Sequence, residues 1–215
     1  MSRPLPPAAA AQVLAQRDPV MARLVAAAGP MRLRPPQETH FAALVRAITY
    51  QQLAGAAAST IHGRLLNALG HTVEPAALLA LSDDQMRAAG LSGNKTASLR
   101  DLATKVLDDT VILDPRDIAR ESDEEVIIRL TAVRGIGEWT AHMFLIFQLR
   151  RLDVWPVGDL GVRKGYGLAW GVPMPTAKEL VPLGEPLRPY RSVAAWYCWR
   201  AVELYAGAAD SALTR

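Results

Sequence analysis

The apolar positions of this chain recur at helical intervals almost from end to end. In residues 41–52, Phe41, Leu44, Val45 and Ile48 fall on one helix face, with small or polar residues between them. After a break at 53–55, Ala58, Ile61, Leu65, Leu66 and Leu69 form a second face, which Gly70 closes as a C-cap glycine. A short helix is predicted over 76–81. Ser82 is placed to cap a helix over 83–89, with Asp83 and Asp84 in its first turn and Gly90 after its last. A further helix over 91–107 is led by GLSGNK. Ser122, with Glu125 three residues on, is a capping-box pair ahead of 126–133. The pattern breaks at Gly135-Ile136-Gly137 and resumes over 138–148, where Ala141, Phe144 and Leu145 share a side. After the loop 150–158 a helix follows Asp159, and a last one covers 192–205. The sequence shows neither alternating strand pairs nor a long repeat, and its 15 glycines and 15 prolines fall mostly between helices. The fold class this predicts is all-α.

Composition narrows the setting. With 215 residues, half of them apolar, the chain can bury a core as one compact unit or as two small lobes. Its one cysteine, Cys198, rules out a disulfide framework, a thiolate zinc site and a cysteine-ligated iron–sulfur cluster. Cys198 lies in the apolar run 193–199 and reads as a buried filler. Residues 1–7 carry Arg3 and three prolines but no apolar leader segment, and no apolar run nears the roughly 20 residues of a membrane span. A soluble, cytoplasmic protein is expected, nucleoid-associated if bacterial. The net charge of +3 and pI near 9.2 are mildly basic, consistent with a polyanionic partner. Lysine and arginine gather beside glycine-rich turns at 87–95 and 129–151, where backbone donors can add to them.

The segment LTAVRGIGEWTAHMFLIF, from Leu130 to Phe147, is an apolar helix, a G-x-G hairpin and a second apolar helix. Gly135 and Gly137 permit positive φ and close backbone approach. The second helix begins just after them, so its free N–H groups and its dipole face the hairpin, an arrangement that holds phosphate without reading sequence. GIGEWT lacks the third glycine of a dinucleotide fingerprint, and GLSGNKT lacks the spacing of a P-loop. An ordinary tight helix–helix turn uses glycine for the same steric reason.

These residues resemble the helix-hairpin-helix DNA glycosylases, and within them the 3-methyladenine DNA glycosylase II family. The likeness runs from about Pro19 to Tyr205 through six ordered blocks: DPVMARLV, AITYQQLAGAAASTIHGRL, GLSGNKTASLRDLA, the hairpin, DVWPVGDLGVRKG and RPYRSVAAWYCWR. The resemblance implies an all-α, two-lobed helix-hairpin-helix glycosylase fold with the DNA cleft between its lobes. One lobe would span 38–133, and the other 1–37 plus 148–215. The hairpin segment 126–147 would lie at their junction. Fewer than 40 residues precede the first glycosylase block, so the expected form lacks the N-terminal β-rich domain of longer members, and substrate preference cannot be carried over from those.

By its place in the motif, Asp159 is the aspartate that the resemblance sets beside the target sugar. A helix N-cap is the plain alternative, and the two roles are compatible. Breaking an N-glycosidic bond builds positive charge on the deoxyribose, which an ionised carboxylate stabilises, and the same group can orient or deprotonate water. The base must first be flipped out of the duplex. The resemblance assigns the wedge to Gln52 or Leu53, against helix-end solvation and core packing as the plain readings. A pocket for a cationic alkylated base should be aromatic; the resemblance puts Trp139 and Tyr190 first, then Trp155 and Tyr50, although any one such aromatic is more often core than pocket. The candidates for holding the DNA backbone are Gly135, Gly137, Thr140, Lys95, Arg134, Lys164 and Arg191.

In superfamily members that cut the strand through a Schiff base, a lysine stands two residues after the second hairpin glycine. Here that residue is Trp139, and Lys164, five residues after Asp159, reads as a phosphate contact or a solvated residue. The expected reaction therefore stops at the abasic site. The resemblance implies a monofunctional hydrolase that acts as a monomer on double-stranded DNA containing alkylated bases, without a metal cofactor, in the first step of base excision repair. It adds one further group, a monovalent cation on the hairpin carbonyls when DNA is bound. Two rivals are a non-catalytic hairpin DNA binder, against which the AITYQQL and VGDLGV blocks argue, and a bifunctional glycosylase/lyase acting on oxidised bases.

Overall fold

The computed structural model describes residues 5–212, with side chains to Tyr205. Residues 1–4, part of the stretch read above as leaderless, and residues 213–215 lie outside the described residues. All regular structure among the described residues is helical. In chain order the α-helices are α1 (Pro7–Arg17), α2 (Pro19–Ala28), α3 (His40–Tyr50), α4 (Gly55–Ala68), α5 (Pro75–Ala80), α6 (Asp83–Ala88), α7 (Gly93–Leu107), α8 (Pro115–Ile118), α9 (Asp123–Thr131), α10 (Glu138–Met143), α11 (Leu160–Trp170), α12 (Ala177–Leu183) and α13 (Arg191–Ala212). No helix among the described residues is long and apolar enough to cross a membrane.

Local chemistry sets most helix starts. Ser82 with Gln85, Ser122 with Glu125 and Thr176 with Glu179 form reciprocal capping boxes. Asp18, Thr39, Ser92, Asp114 and Asp159 cap α2, α3, α7, α8 and α11 through their side-chain oxygens. Each such cap is worth about 1 kcal/mol. α10 differs: its N-cap is Gly137, which has no side chain to cover the first-turn N–H groups.

The chain divides into two compact units, Met1–Arg34 with Arg150–Arg215, and Pro35–Leu149. In the first, α13 packs against α11, α2 and α1. Leu14, Met21, Leu24, Val162, Leu180 and Tyr197 are buried in its core. Gly165 is fixed by contact: a Cβ there would lie 1.9 Å from the Cys198 carbonyl oxygen, so α11 and α13 touch backbone to backbone. Cys198 is buried, as its apolar neighbours predict, and burial pushes its thiol pKa up.

In the second unit α3 packs on α4 and α7, α5 on α7, and α9 on α10. Leu44, Ile48, Leu65, Leu99, Leu102 and Leu145 are fully buried, each contributing about 1.5–3 kcal/mol. The helix expected over 138–148 departs from α geometry. After Met143 it widens into a π-helical turn, Phe144–Gln148, in which the Leu149 N–H reaches the Phe144 carbonyl at 3.0 Å. The turn carries the Gln148 side chain inward, where its Nε2 donates to the Glu38 carbonyl at 3.0 Å and lies 3.1 Å from His40 Nδ1. The hairpin segment 126–147 falls wholly inside the Pro35–Leu149 unit, tied there by hydrogen bonds from α7 and from the end of α3.

Candidate active site and nucleic-acid interface

The hairpin is braced from two sides. On α7, Asp101 Oδ2 accepts the Arg134 backbone N–H at 2.7 Å and the Lys105 ammonium at 2.7 Å, while Lys105 Nζ also donates to the Ala132 carbonyl at 2.7 Å. Desolvation alone would raise the Asp101 pKa, but the bonds from Lys105 and Arg134 outweigh it and hold the carboxyl below its usual range. From the end of α3, Gln51 Nε2 donates to the Gly135 carbonyl at 2.9 Å and lies 3.4 Å from Thr140 Oγ1. The turn cannot drift while these bonds hold, so the uncapped start of α10 is presented in one orientation.

The two hairpin glycines turn out to be unlike. Gly135 has φ +78°, and a Cβ there would lie 2.5 Å from Ser98 Oγ, so both conformation and space demand glycine. Gly137 is extended at φ −96°, with nothing within 4 Å of a Cβ. The positive φ that both glycines permit is used by the first only, because the chain reverses there and has straightened before the second.

Within the same unit, Tyr50, Gln51, Gln52, Gly135, Trp139 and Thr140 line one cavity of about 520 Å³, together with Gly137, Ala47 and Met143. Trp139 is 49% exposed. Tyr50 packs edge-on against His62, with ring centroids 5.8 Å apart. Of the two wedge candidates, Gln52 occupies the left-handed region at φ +57°, at the tip of the turn between α3 and α4, and Leu53 beside it is 37% exposed.

Two of the expected backbone contacts in this unit, Lys95 and Thr140, are engaged in other ways, and a third, Arg134, is open to solvent. The Lys95 ammonium donates to the Thr49 carbonyl at 2.7 Å, closing the last turn of α3, and burial lowers its pKa. Thr140 is buried, so its hydroxyl serves the pocket wall. The Arg134 side chain is exposed, with Nη2 3.4 Å from Asn94 Oδ1.

In the other unit, Asp159 is the N-cap of α11 and only 8% exposed. Its Oδ1 accepts the Val162 backbone N–H at 2.7 Å and the Trp199 indole N–H at 2.9 Å. Trp199, on α13, is a residue that sequence reasoning missed. Its signal is indirect: Gly161 and Gly165, four apart on α11, leave a bare stripe that admits a large side chain from a neighbouring helix. Tyr190 is half-buried against this unit's core. Lys164 is exposed. Trp155 is a correction: it is 7% exposed within the core, and its indole N–H donates to the Leu180 carbonyl at 2.9 Å, so it supports the fold. Arg191 is a second correction. Its guanidinium is bound to the Asp153 carboxylate at 2.9 Å and to the Asp153 carbonyl at 2.7 Å, which leaves it a brace for the segment ahead of Asp159.

A family model described as the HhH-GPD superfamily of base excision DNA repair proteins matches residues 45–186, which include both the hairpin and Asp159. The chain belongs to this superfamily. Among curated relatives of this HhH-GPD protein, DNA-3-methyladenine glycosylase 1 of Schizosaccharomyces pombe is 37% identical over 164 residues, covering 75% of this chain and 72% of the relative. A solved structure of the Schizosaccharomyces pombe 3-methyladenine DNA glycosylase in complex with abasic DNA matches with a TM-score of 0.77 and 34% identity, over 90% of this chain and 96% of the other. The crystal structure of a DNA-3-methyladenine glycosidase from Bacillus halodurans matches with a TM-score of 0.83 and 34% identity, over 96% and 94% of the two chains.

Proposed function

We propose that this HhH-GPD protein excises alkylated bases, such as 3-methyladenine and 7-methylguanine, from double-stranded DNA by hydrolysing the N-glycosidic bond. The observation that carries this reading is the Asp159 carboxylate, withdrawn from solvent and held by two N–H donors at the start of α11. Such a group has one orientation in which to meet the positive charge that grows on the sugar as the base departs, and fixed charge in a dry site costs little reorganisation during the reaction. An alkylated purine leaves as a neutral base, so one carboxylate suffices without an acid partner.

The hairpin and the uncapped start of α10 hold the phosphate backbone, with Gly135, Gly137 and Arg134 as the contacts and Lys164 as a further one. Leu53, at the tip of an exposed turn, fills the gap left by the flipped nucleotide. Trp139, exposed beside the hairpin, supplies aromatic surface for a cationic base. Trp139 also occupies the place of the Schiff-base lysine, so the reaction ends at the abasic site. The Val133 carbonyl accepts the Ile136 N–H at 3.1 Å and keeps a second lone pair. Neutral hard oxygens of this kind fit a monovalent cation, which the Val133 carbonyl and its hairpin neighbours would hold against a DNA phosphate.

The test is release of free base from methylated duplex. Asp159→Asn keeps an oxygen that can accept both N–H groups, so it should fold and bind DNA normally yet lose base release by at least about 100-fold. Wild-type release by the variant, or no release by the wild-type protein, overturns the reading. A covalent DNA adduct trapped by borohydride overturns its monofunctional part.

A further inference from the structure

We infer that Trp199 is a positioning residue for Asp159: its indole N–H fixes the carboxylate in the orientation that base release requires. The inference rests on the catalytic reading of Asp159 given above. Two independent features of the structure support it.

The first is the bond itself. Trp199 Nε1 meets Asp159 Oδ1 at 2.9 Å, on the same oxygen that accepts the Val162 N–H at 2.7 Å. The backbone bond alone is an ordinary N-cap, and an N-cap carboxylate can still turn about its side-chain torsions. A second donor from a different helix removes that freedom. It comes from 40 residues further along the chain, so no local propensity explains it.

The second feature is the space made for the indole. A Cβ on Gly161 would lie 2.8 Å from Trp199 Cδ1, 3.1 Å from its Nε1 and 3.1 Å from Asp159 Oδ1. A side chain at 161 would therefore intrude on the Trp199–Asp159 bond itself. One turn on, Gly165 lets α11 meet the Cys198 carbonyl, the residue next to Trp199, which sets how near the indole can come. The two glycines thus form a seat for Trp199, and the seat ends at the carboxylate.

This makes Trp199 distinct from a core tryptophan such as Trp155, whose N–H meets a backbone carbonyl. Removing a hydrogen bond to a charged group should cost roughly 10- to 100-fold in the step that uses the charge. Trp199→Phe keeps most of the ring's packing and removes the donor. Single-turnover base release from methylated duplex should fall by that factor, while affinity for undamaged duplex stays within about twofold. In the Asp159→Asn background, Trp199→Phe should bring no further loss, because the residue acts through the carboxylate; a purely structural role would multiply the two losses. Gly161→Ala, which leaves both partners intact and forces them apart, should reproduce the Trp199→Phe defect.

The bond also has its own readout. Among the indole N–H resonances in a proton–nitrogen spectrum, the one lost in Trp199→Phe should shift on Asp159→Ala. Wild-type release by Trp199→Phe, multiplicative losses in the double variant, or an indole resonance unmoved by Asp159→Ala would each overturn the proposal. If the wild-type protein released no base, the functional reading would fail by itself, and the resonance would still test the Trp199–Asp159 bond.

Discussion

Replacing Gly135 with alanine tests the hairpin most directly, because two separable costs meet at one atom. The residue sits at φ +78°, where an L-residue is disfavoured by about 1–2 kcal/mol. The new Cβ would also lie 2.5 Å from Ser98 Oγ and 3.3 Å from Ser98 Cβ. Ser98 is 6% exposed on α7 and has little room to retreat, so overpacking adds about 1–3 kcal/mol. The sum, roughly 2–5 kcal/mol, is a large share of the 5–15 kcal/mol that holds a typical domain together. Gly137→Ala is the internal control: with φ −96° and open space around its Cβ it should cost almost nothing in stability. Urea unfolding followed by tryptophan fluorescence gives the stabilities, and fluorescence anisotropy with an undamaged duplex gives the grip on DNA. Gly135→Ala should weaken both. Adding Ser98→Ala should recover most of the overpacking share, since only the 3.3 Å approach to the Cβ at 98 remains, but leave the backbone share. The reasoning is refuted if the two glycine variants are equally stable, or if removing the Ser98 hydroxyl restores nothing.

In the other unit, Trp155→Ala should cost about 3–5 kcal/mol in thermal or urea unfolding, since a buried ring is lost and the Leu180 carbonyl loses its donor; a near-neutral result would return Trp155 to the pocket. Burial lowers the pKa of His40, His62 and His142 below the ordinary 6.5, although nearby carboxylates pull the other way. For His142 the opposing carboxylates are Glu138 and Asp123. A lowered folded-state pKa means that the unfolded chain binds protons first, so stability is full above pH 6.5 and falls as the pH drops below it. Urea midpoints should decline between about pH 7.5 and pH 5, and His142→Gln should flatten that decline; a midpoint constant over this window would refute the assignment. Leu53→Ala should slow base release from fully paired duplex more than from a mismatched site, where extrusion costs less; equal slowing on both would exclude a wedge role.

Much of the fold can be read from the sequence because it rests on short-range rules. The capping pair Ser122 and Glu125, the start of α11 after Asp159, and the turn at Gly70 are all decided within a few residues, and the structure has each of them. Four features are not legible, and each depends on a partner far along the chain. The π-helical turn at Phe144–Gln148 accompanies the bond from Gln148 to Glu38, 110 positions away. Trp155 and Tyr190 are both aromatic candidates in the sequence, and it is burial, with the Leu180 carbonyl claiming the Trp155 N–H, that separates them. Arg191 has the look of a phosphate contact until Asp153, folded against it, is taken into account. Gly135 and Gly137 are equivalent as a motif, and Ser98 on α7 is what distinguishes them. The catalytic candidate itself is legible only as a motif position. Its second donor, Trp199, is a matter of how two helices cross.

That crossing also decides how the protein can be labelled. Cys198 is the only cysteine in the chain, it is buried where α13 meets α11, and burial pushes its thiol away from the reactive thiolate form. Towards a maleimide dye, the folded protein therefore behaves as though it had no cysteine. A single cysteine placed at an exposed position such as Asn67, near the end of α4, can carry a fluorophore without any change to residue 198. Single-molecule observation of this protein on DNA can thus begin from the native core, with the Gly165 contact undisturbed.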